Sequence, residues 1–245
     1  MEGKAKRKVQ AEKMRSRNKS SKLGVVIVAA GTSRRMIGMN KLFASLGGKP
    51  LLAWSVDTCQ RCSFVQQIVL VLNDEDLGRG QELKEERGWS KVALCLGGPR
   101  RQDSVKQGLR QIGSCDWVMI LDGARPFLSA GLIEDGLKTA DQFGAAAAAV
   151  PVKDTIKLVG GGNLIKGTLK RDKLWAAQTP QIFSLDIITK AYEDLTTEVT
   201  DDAMAVERLG YKVHLYMGDY ENIKVTTPED LALARIIARE WKQKN

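Results

Sequence analysis

An α/β fold built on a mostly parallel, doubly wound sheet is the class this sequence predicts, and three observations carry the prediction. Short apolar runs recur through the first 151 residues, and longer stretches of helical composition separate them. The runs are continuously apolar, as suits strands buried on both faces of a parallel sheet. Alternation of strand and helix then implies right-handed βαβ units with helices on either side.

Taken in order, residues 23–30 (LGVVIVAA) form the first strand and stop at Gly31. Further strands are expected at 67–72 (QIVLVL), 91–96 (KVALCL), 117–121 (WVMIL) and 144–151 (GAAAAAVP), with helices at 50–62, 77–88, 101–113 and 129–143. After Pro151 the rhythm changes. Residues 152–174 are rich in Lys, Thr and Gly, and Gly160-Gly161-Gly162-Asn163 sits between two β-prone runs. Residues 154–175 therefore read as a projecting β-hairpin arm for dimerisation, its exposed apolar positions most easily covered by a second subunit. Helices at 186–194 and 201–209, a strand at 211–217 and a helix over 228–242 complete a single domain spanning 23–245.

The formal charge of +9 invites a nucleic-acid reading, but its distribution does not support one. Residues 1–22 hold nine Lys or Arg against Glu2 and Glu12, which leaves the remainder nearly neutral. A stretch so basic and so poor in large apolar residues cannot offset its ordering entropy, so 1–22 is expected to be a disordered basic tail. RNA binding through that tail stays as the remote alternative, and no nucleic acid is required. No basic region followed by a secretory apolar core and no apolar stretch long enough to span a membrane is read in the sequence, so a cytoplasmic protein is expected. Cys59, Cys62, Cys95 and Cys115 supply one C-x-x-C without a second pair, and His214 is the only histidine. Reduced thiols rather than a zinc site are expected.

In open α/β sheets ligands bind beyond the carboxyl ends of the strands, and five segments converge there. Ala29-Ala30-Gly31-Thr32-Ser33-Arg34-Arg35-Met36, followed by Asn40-Lys41, offers close backbone approach, N–H donors and fixed positive charge. It reads as a triphosphate cradle or as a tight strand-to-helix turn with solvated basic residues. Neither a P-loop nor a dinucleotide fingerprint is present. Asp122, at the end of an apolar strand in LDGARPF, reads as a magnesium ligand facing a nucleotide phosphate or as a turn cap. Gly97-Gly98-Pro99-Arg100-Arg101-Gln102-Asp103-Ser104 is a glycine turn entering a helix. Gln178-Thr179-Pro180-Gln181 and Glu221-Asn222-Ile223-Lys224 complete the set, the latter as metal and phosphate ligands or as an exposed ion pair.

In this order, AAGTSRRM, Lys41, GG-x-x-R-x-x-SV, LDGARPF, VPVKDTIK, AQTPQIF, TDDA and NIKVTTPEDLALA resemble the 2-C-methyl-D-erythritol 4-phosphate cytidylyltransferases of the non-mevalonate isoprenoid pathway. The likeness runs from Leu23 to the C-terminal helix. It implies a Rossmann-like nucleotidyltransferase domain, a homodimer joined through the arm, CTP and a small phosphorylated polyol as substrates, and Mg2+ as cofactor. On matching positions it gives Ala29, Ala30 and Gly31 to cytosine or phosphate contacts, and Arg35 and Lys41 to the triphosphate and the transition state. Ser104 would meet the nucleoside in a loop shaped by Gly98 and Arg101. Asp122 would bind the nucleotide through magnesium, with Glu221 as a second metal ligand, and Lys224 would stabilise the α-phosphate. Thr155, Arg171 and Thr179 match positions that bind the methylerythritol phosphate. The chain departs from the family pattern at Val28, Ser33, Pro99 and Glu221. Ribitol 5-phosphate is the alternative acceptor, since enzymes using it share much of this motif set.

Overall fold

The computed structural model describes residues 21–31 and 40–244. The basic tail, apart from Ser21 and Lys22, lies outside the described residues, as do Ser33 and Arg35 of the first glycine loop.

Strands β1 (Leu23–Val28), β4 (Val65–Leu72), β5 (Val92–Leu96) and β6 (Trp117–Asp122) are the expected apolar runs, preceded in the chain's first crossover by a small hairpin, β2 (Ser45–Leu46) and β3 (Lys49–Pro50). Next come β7 (Ala145–Pro151), β8 (Lys157–Val159), β9 (Ile165–Thr168), β10 (Trp175–Ser184) and β11 (His214–Met217). The main sheet has the order β11-β7-β10-β6-β1-β4-β5. All neighbours are parallel except β10, which runs antiparallel to both β6 and β7. The mostly parallel sheet is thus as expected, with one reversed strand inside it.

Helices α1 (Leu51–Arg61), α2 (Asp74–Arg87) and α4 (Ala130–Phe143) cover one face. Their Leu52, Val56, Leu83, Ile133 and Leu137 pack on Val25, Ile27, Leu70 and Leu121. Helices α3 (Arg101–Gln111), α5 (Leu185–Glu193) and α6 (Asp202–Arg208) cover the other, where Val105, Ile188 and Val206 meet Val26, Val71, Val118 and Ile120. Successive residues of one strand point to opposite faces, so a run such as Val25-Val26-Ile27 needs apolar partners on both sides. The last helix, α7 (Pro228–Lys244), joins Trp54, Phe127 and Val225 in a third cluster.

Local chemistry sets the boundaries. Helix α2 begins three residues before its expected start because Asn73 accepts a hydrogen bond from the Asp76 N–H, and Asp74, Glu75 and Asp76 suit the positive end of the helix dipole. Gly88, in the left-handed region at φ 62°, ends it. Ser129 and Ser184 cap α4 and α5 in the same way.

Strand β10 was expected to be part arm and part binding segment rather than sheet. Pro180 and three polar residues break its apolar pattern, yet the ladder tolerates them: pairing to β7 shifts register between Ala177 and Gln181, so the proline stands where no ladder bond is required. The buried amides are satisfied elsewhere. Gln178 donates to the Asp219 carbonyl (2.9 Å) and Gln181 to Asp201 (3.0 Å). The arm proper is the antiparallel β8–β9 pair around the Gly160–Asn163 turn, and Trp175 is already paired to Pro151 in the main sheet. Leu158, Val159, Leu164 and Ile165 of the arm are exposed.

Candidate active site

The carboxyl ends of β1 and β6 and the turn after β5 open into a cleft of about 490 Å3. Main-chain bonds fix its rim: Ala29 N–H donates to the Val71 carbonyl (2.8 Å), Gly97 to Leu72 (2.8 Å) and Gly123 to Val28 (2.9 Å). Small residues are needed where these segments meet. A β-carbon on Gly97 would stand 2.4 Å from that of Ala30, and one on Gly123 would stand 2.9 Å from that of Ala29. Among the described residues, nothing lies within 4 Å of where a β-carbon on Gly31 would stand.

Lys41 lines the same cleft at the start of a short 3-10 turn. Its neighbour Asn40 accepts from the Leu42 N–H and donates to both carboxylate oxygens of buried Asp76 (2.6 and 2.8 Å). This moors the downstream end of the glycine loop to the start of α2. Opposite, Gly98, Arg101 and Ser104 form the wall supplied by the β5–α3 turn. Buried Ser104 Oγ accepts from the Gly98 N–H (3.1 Å) and closes the turn on itself.

Asp122 is the floor. Its Oδ2 lies 2.7 Å from Lys224 Nζ and 3.9 Å from Arg125 Nε, and its Oδ1 accepts from Arg101 Nε at 3.1 Å. Burial alone would raise its pKa. The Arg101 and Lys224 charges and the Lys224 hydrogen bond outweigh that and hold the group well below the usual carboxylate range. Asp122 is an anion throughout the physiological range. Arg125, nine-tenths buried, gives Nη1 to the Asn222 carbonyl (2.6 Å), while its Nε has no hydrogen-bond partner. Burial disfavours its charge, with Asp122 opposing that trend.

Lys224 reaches Asp122 because the irregular segment after β11 is stitched to the floor. Val225 N–H donates to the Ala124 carbonyl (2.9 Å), and fully buried Asn222 donates to the Thr179 carbonyl (2.8 Å). Downstream, Asp230 accepts from the N–H groups of Thr226 (2.8 Å) and Thr227 (2.9 Å), capping α7 and ending the segment.

Nine sequence-predicted residues therefore share one cleft: Ala29, Ala30, Gly31, Lys41, Gly98, Arg101, Ser104, Asp122 and Lys224. Thr179 lies directly behind it, buried, its hydroxyl accepting from the Asp122 N–H at 3.0 Å. Glu221 is half-buried on the Lys224 segment, and Arg35 lies outside the described residues. Thr155 and Arg171 are exposed beside the arm and do not line this cleft; Arg171 donates to the Lys153 carbonyl. Arg125 and Asp202 received no role from the sequence. Arg125 stands three residues after Asp122 in the quoted LDGARPF, but nothing in that spacing shows that its guanidinium turns under the cleft.

The cleft can bind a polyanion through cations and backbone N–H donors, and it offers one ionised carboxylate among them. That is the equipment of a phosphate-transfer site rather than of covalent catalysis. No helix among the described residues is long and apolar enough to cross a membrane.

Comparison with known proteins gives the same direction. The family model for 2-C-methyl-D-erythritol 4-phosphate cytidylyltransferase matches residues 23–240. Relatives bearing that name include one from Dehalococcoides mccartyi, 48% identical over 224 residues that cover 91% of this chain and 99% of the relative. Another, from Caldanaerobacter subterraneus, is 42% identical over 225 residues, 89% of this chain and 99% of the relative. Among solved structures, the 4-diphosphocytidyl-2C-methyl-D-erythritol synthase of Anaerococcus prevotii superposes with a TM-score of 0.81 at 28% identity, covering 90% of this chain and 97% of its own. The 2-C-methyl-D-erythritol 4-phosphate cytidylyltransferase of Thermus thermophilus gives 0.73 at 30% identity, covering 89% and 99%.

Proposed function

Since the chain belongs to the 2-C-methyl-D-erythritol 4-phosphate cytidylyltransferase family, we propose that its strand-end cleft is where CMP passes from CTP to 2-C-methyl-D-erythritol 4-phosphate. The products are 4-diphosphocytidyl-2-C-methyl-D-erythritol and pyrophosphate, and the reaction serves isoprenoid precursor synthesis. The observation that carries the residue roles is the placement of Lys224 against Asp122, within the same cleft as Lys41 and the Ala29-Ala30-Gly31 backbone.

A phosphate oxygen of the acceptor attacks the α-phosphorus of CTP in line, the bond to the bridging oxygen breaks, and pyrophosphate leaves with that electron pair. No enzyme-bound intermediate is needed, so the protein supplies position and charge. The backbone of residues 29–31 meets the cytosine or phosphates, with the Ala29 N–H itself kept by the Val71 carbonyl, and Ser104 with Gly98 holds the nucleoside. Lys41, with Arg35, compensates charge on the triphosphate. Lys224, 41% exposed and spending its charge on Asp122, is an ammonium for which the α-phosphate competes.

The residues fit a magnesium ion. Among the described residues no three His, Cys, Asp or Glu side chains gather into a metal centre, whereas Mg2+ is ordinarily held by one or two carboxylates plus substrate phosphates. Asp122 is ionised, and its four lone-pair positions are only partly used by Arg101 and Lys224. Asp122, with Glu221 as a second ligand, would hold the ion, whose charge would screen the phosphates from the anionic attacker.

The test is pyrophosphate release from each of the four nucleoside triphosphates with methylerythritol 4-phosphate or ribitol 5-phosphate, with and without Mg2+. Release is expected with CTP, methylerythritol phosphate and Mg2+ together. Preference for ribitol phosphate would overturn the acceptor, and undiminished release in a chelator would overturn the metal.

The arm supports a homodimer. Leu158, Val159, Leu164 and Ile165 expose apolar surface on a two-stranded ribbon too small to bury it alone, and Thr155 and Arg171, which do not line this chain's own cleft, would reach the acceptor in the cleft of a second copy. Substituting both Leu158 and Ile165 by Asp is expected to give a monomer in sedimentation velocity with little activity left. An undisturbed dimer would exclude the arm as the interface. The four cysteines are all free, in keeping with a reducing compartment such as the cytoplasm.

A further inference from the structure

Asp202, the first residue of α6, is a completely buried carboxylate, and a buried charge persists only where donors meet it. Three do. Arg101 gives Nη1 to Oδ1 (3.0 Å) and Nη2 to Oδ2 (2.7 Å), a two-pronged pair, and the Tyr192 hydroxyl donates to Oδ1 at 2.5 Å. The mount is stiff. Asp201 caps α6 by accepting from the Met204 N–H (2.9 Å), and Gln181 of β10 bonds both Asp201 and the Ala203 N–H (3.0 and 2.8 Å).

A guanidinium beside a single carboxylate takes both of its oxygens. Were Asp202 absent, the Arg101 fork would be free to close on Asp122. With the fork engaged, Arg101 offers Asp122 only its Nε, to one oxygen, Oδ1. The other oxygen, Oδ2, remains for Lys224. Burial would lower the Arg101 pKa, but Asp202 and Asp122 more than offset it, and burial together with Asp202 raises the Tyr192 phenol. Arg101 stays a cation and Tyr192 stays a donor.

We propose that Asp202 is a positioning residue for the transfer reaction: by holding the guanidinium fork of Arg101 it restricts Arg101 to one bond with Asp122 and keeps the second Asp122 oxygen for Lys224 and ligand. Tyr192 in turn fixes Asp202. The proposal rests on the reading of Asp122 as the magnesium-side carboxylate of the cleft.

Asp202→Asn and Tyr192→Phe test it in the full chain. Turnover per folded molecule, KM for both substrates, thermal midpoint and the affinity of the enzyme for Mn2+–CTP, read by water-proton relaxation, are compared with wild type. Removing a residue that orients a ligand-bearing side chain is expected to lower kcat and Mn2+–CTP affinity together, each about 10- to 100-fold for Asp202→Asn. KM for the acceptor should move far less, and Tyr192→Phe should show the same split to a smaller degree. A stable Asp202→Asn protein with wild-type kcat and Mn2+–CTP affinity overturns the proposal, as does a lower thermal midpoint with unchanged turnover, which would mark a purely structural ion pair. If Asp202→Asn does not fold, Tyr192→Phe, which keeps both charges, decides by the same two readouts. Wild-type turnover that survives chelation would remove the metal reading instead, and the kcat ratio of variant to wild type then decides the positioning role alone.

Discussion

Replacing Lys224 by alanine is expected to lower kcat by about 100- to 1000-fold, the usual cost of deleting one donor aimed at charge that develops in the transition state. The ammonium is long-stemmed and partly solvated, and it lies 2.7 Å from Asp122 Oδ2. Its loss leaves Asp122 with Arg101 and Arg125, so the carboxylate stays compensated and the fold persists. The expected signature is a kcat effect with little change in thermal midpoint and a modest change in KM for CTP. Steady-state pyrophosphate release and a melting curve check it, and turnover within threefold of wild type would exclude Lys224 from the phosphate chemistry. Lys224→Arg should recover only part of the loss, because a planar fork does not substitute for a point charge.

The second large effect is expected from Asp122→Asn. Arg101, Arg125 and Lys224 converge on this one carboxylate, and with the charge removed Arg101 retains Asp202 while Arg125, whose Nε is already unpartnered, retains only a backbone carbonyl. Turnover should fall by at least about 1000-fold, since Lys224 is placed by this group and the proposed metal would be held by it. Stability should fall too. The sign follows from the depressed pKa: stabilisation by ionised Asp122 is complete above the unfolded value of about 4 and is lost only as pH drops through the folded value below it. Near neutrality Asp122 does not titrate. The acid limb of the rate profile should therefore follow the acceptor's phosphate, whose second ionisation lies near about pH 6, and should not move in Asp122→Asn. A limb that disappears in that variant would mean the carboxylate titrates during turnover.

How far the chain could be read depended on whether the signal was local. Continuous apolar runs gave β1, β4, β5, β6 and β7 to within two residues at each end, since a strand buried on both faces carries its evidence in its own composition, whereas β11, without such a run, starts three residues later than expected. The reversed strand β10 escaped because its evidence lies elsewhere: Gln178, Thr179 and Gln181 look like loop residues until Asp219, Asp122 and α6 are seen to satisfy them. The site divides in the same way. Asp122, Lys41 and the Ala29-Ala30-Gly31 turn stand where strands end and could be placed by topology. The bond between Arg101 and Asp202 joins residues 101 positions apart, and no local pattern in TDDA indicates which cation its buried carboxylate would meet. The early start of α2 was legible in principle in Asn73 and the three acidic residues that follow it.

The place of β10 between β6 and β7 has a consequence for the order in which the protein becomes an enzyme during synthesis. A ribosome that has delivered β7 has made five of the seven main-sheet strands, yet β7 still lacks both its neighbours, because they are β10 and β11. The nascent chain then exposes an unpaired strand, and its makeup of five consecutive alanines lowers the hazard, since alanine has little affinity for other strands. Thr179 comes with β10 and Lys224 after β11, so Asp122, made with Arg101 and Arg125, waits for Lys224 until the last tenth of the chain is reached. A truncated or stalled product would carry most of the sheet and none of the activity.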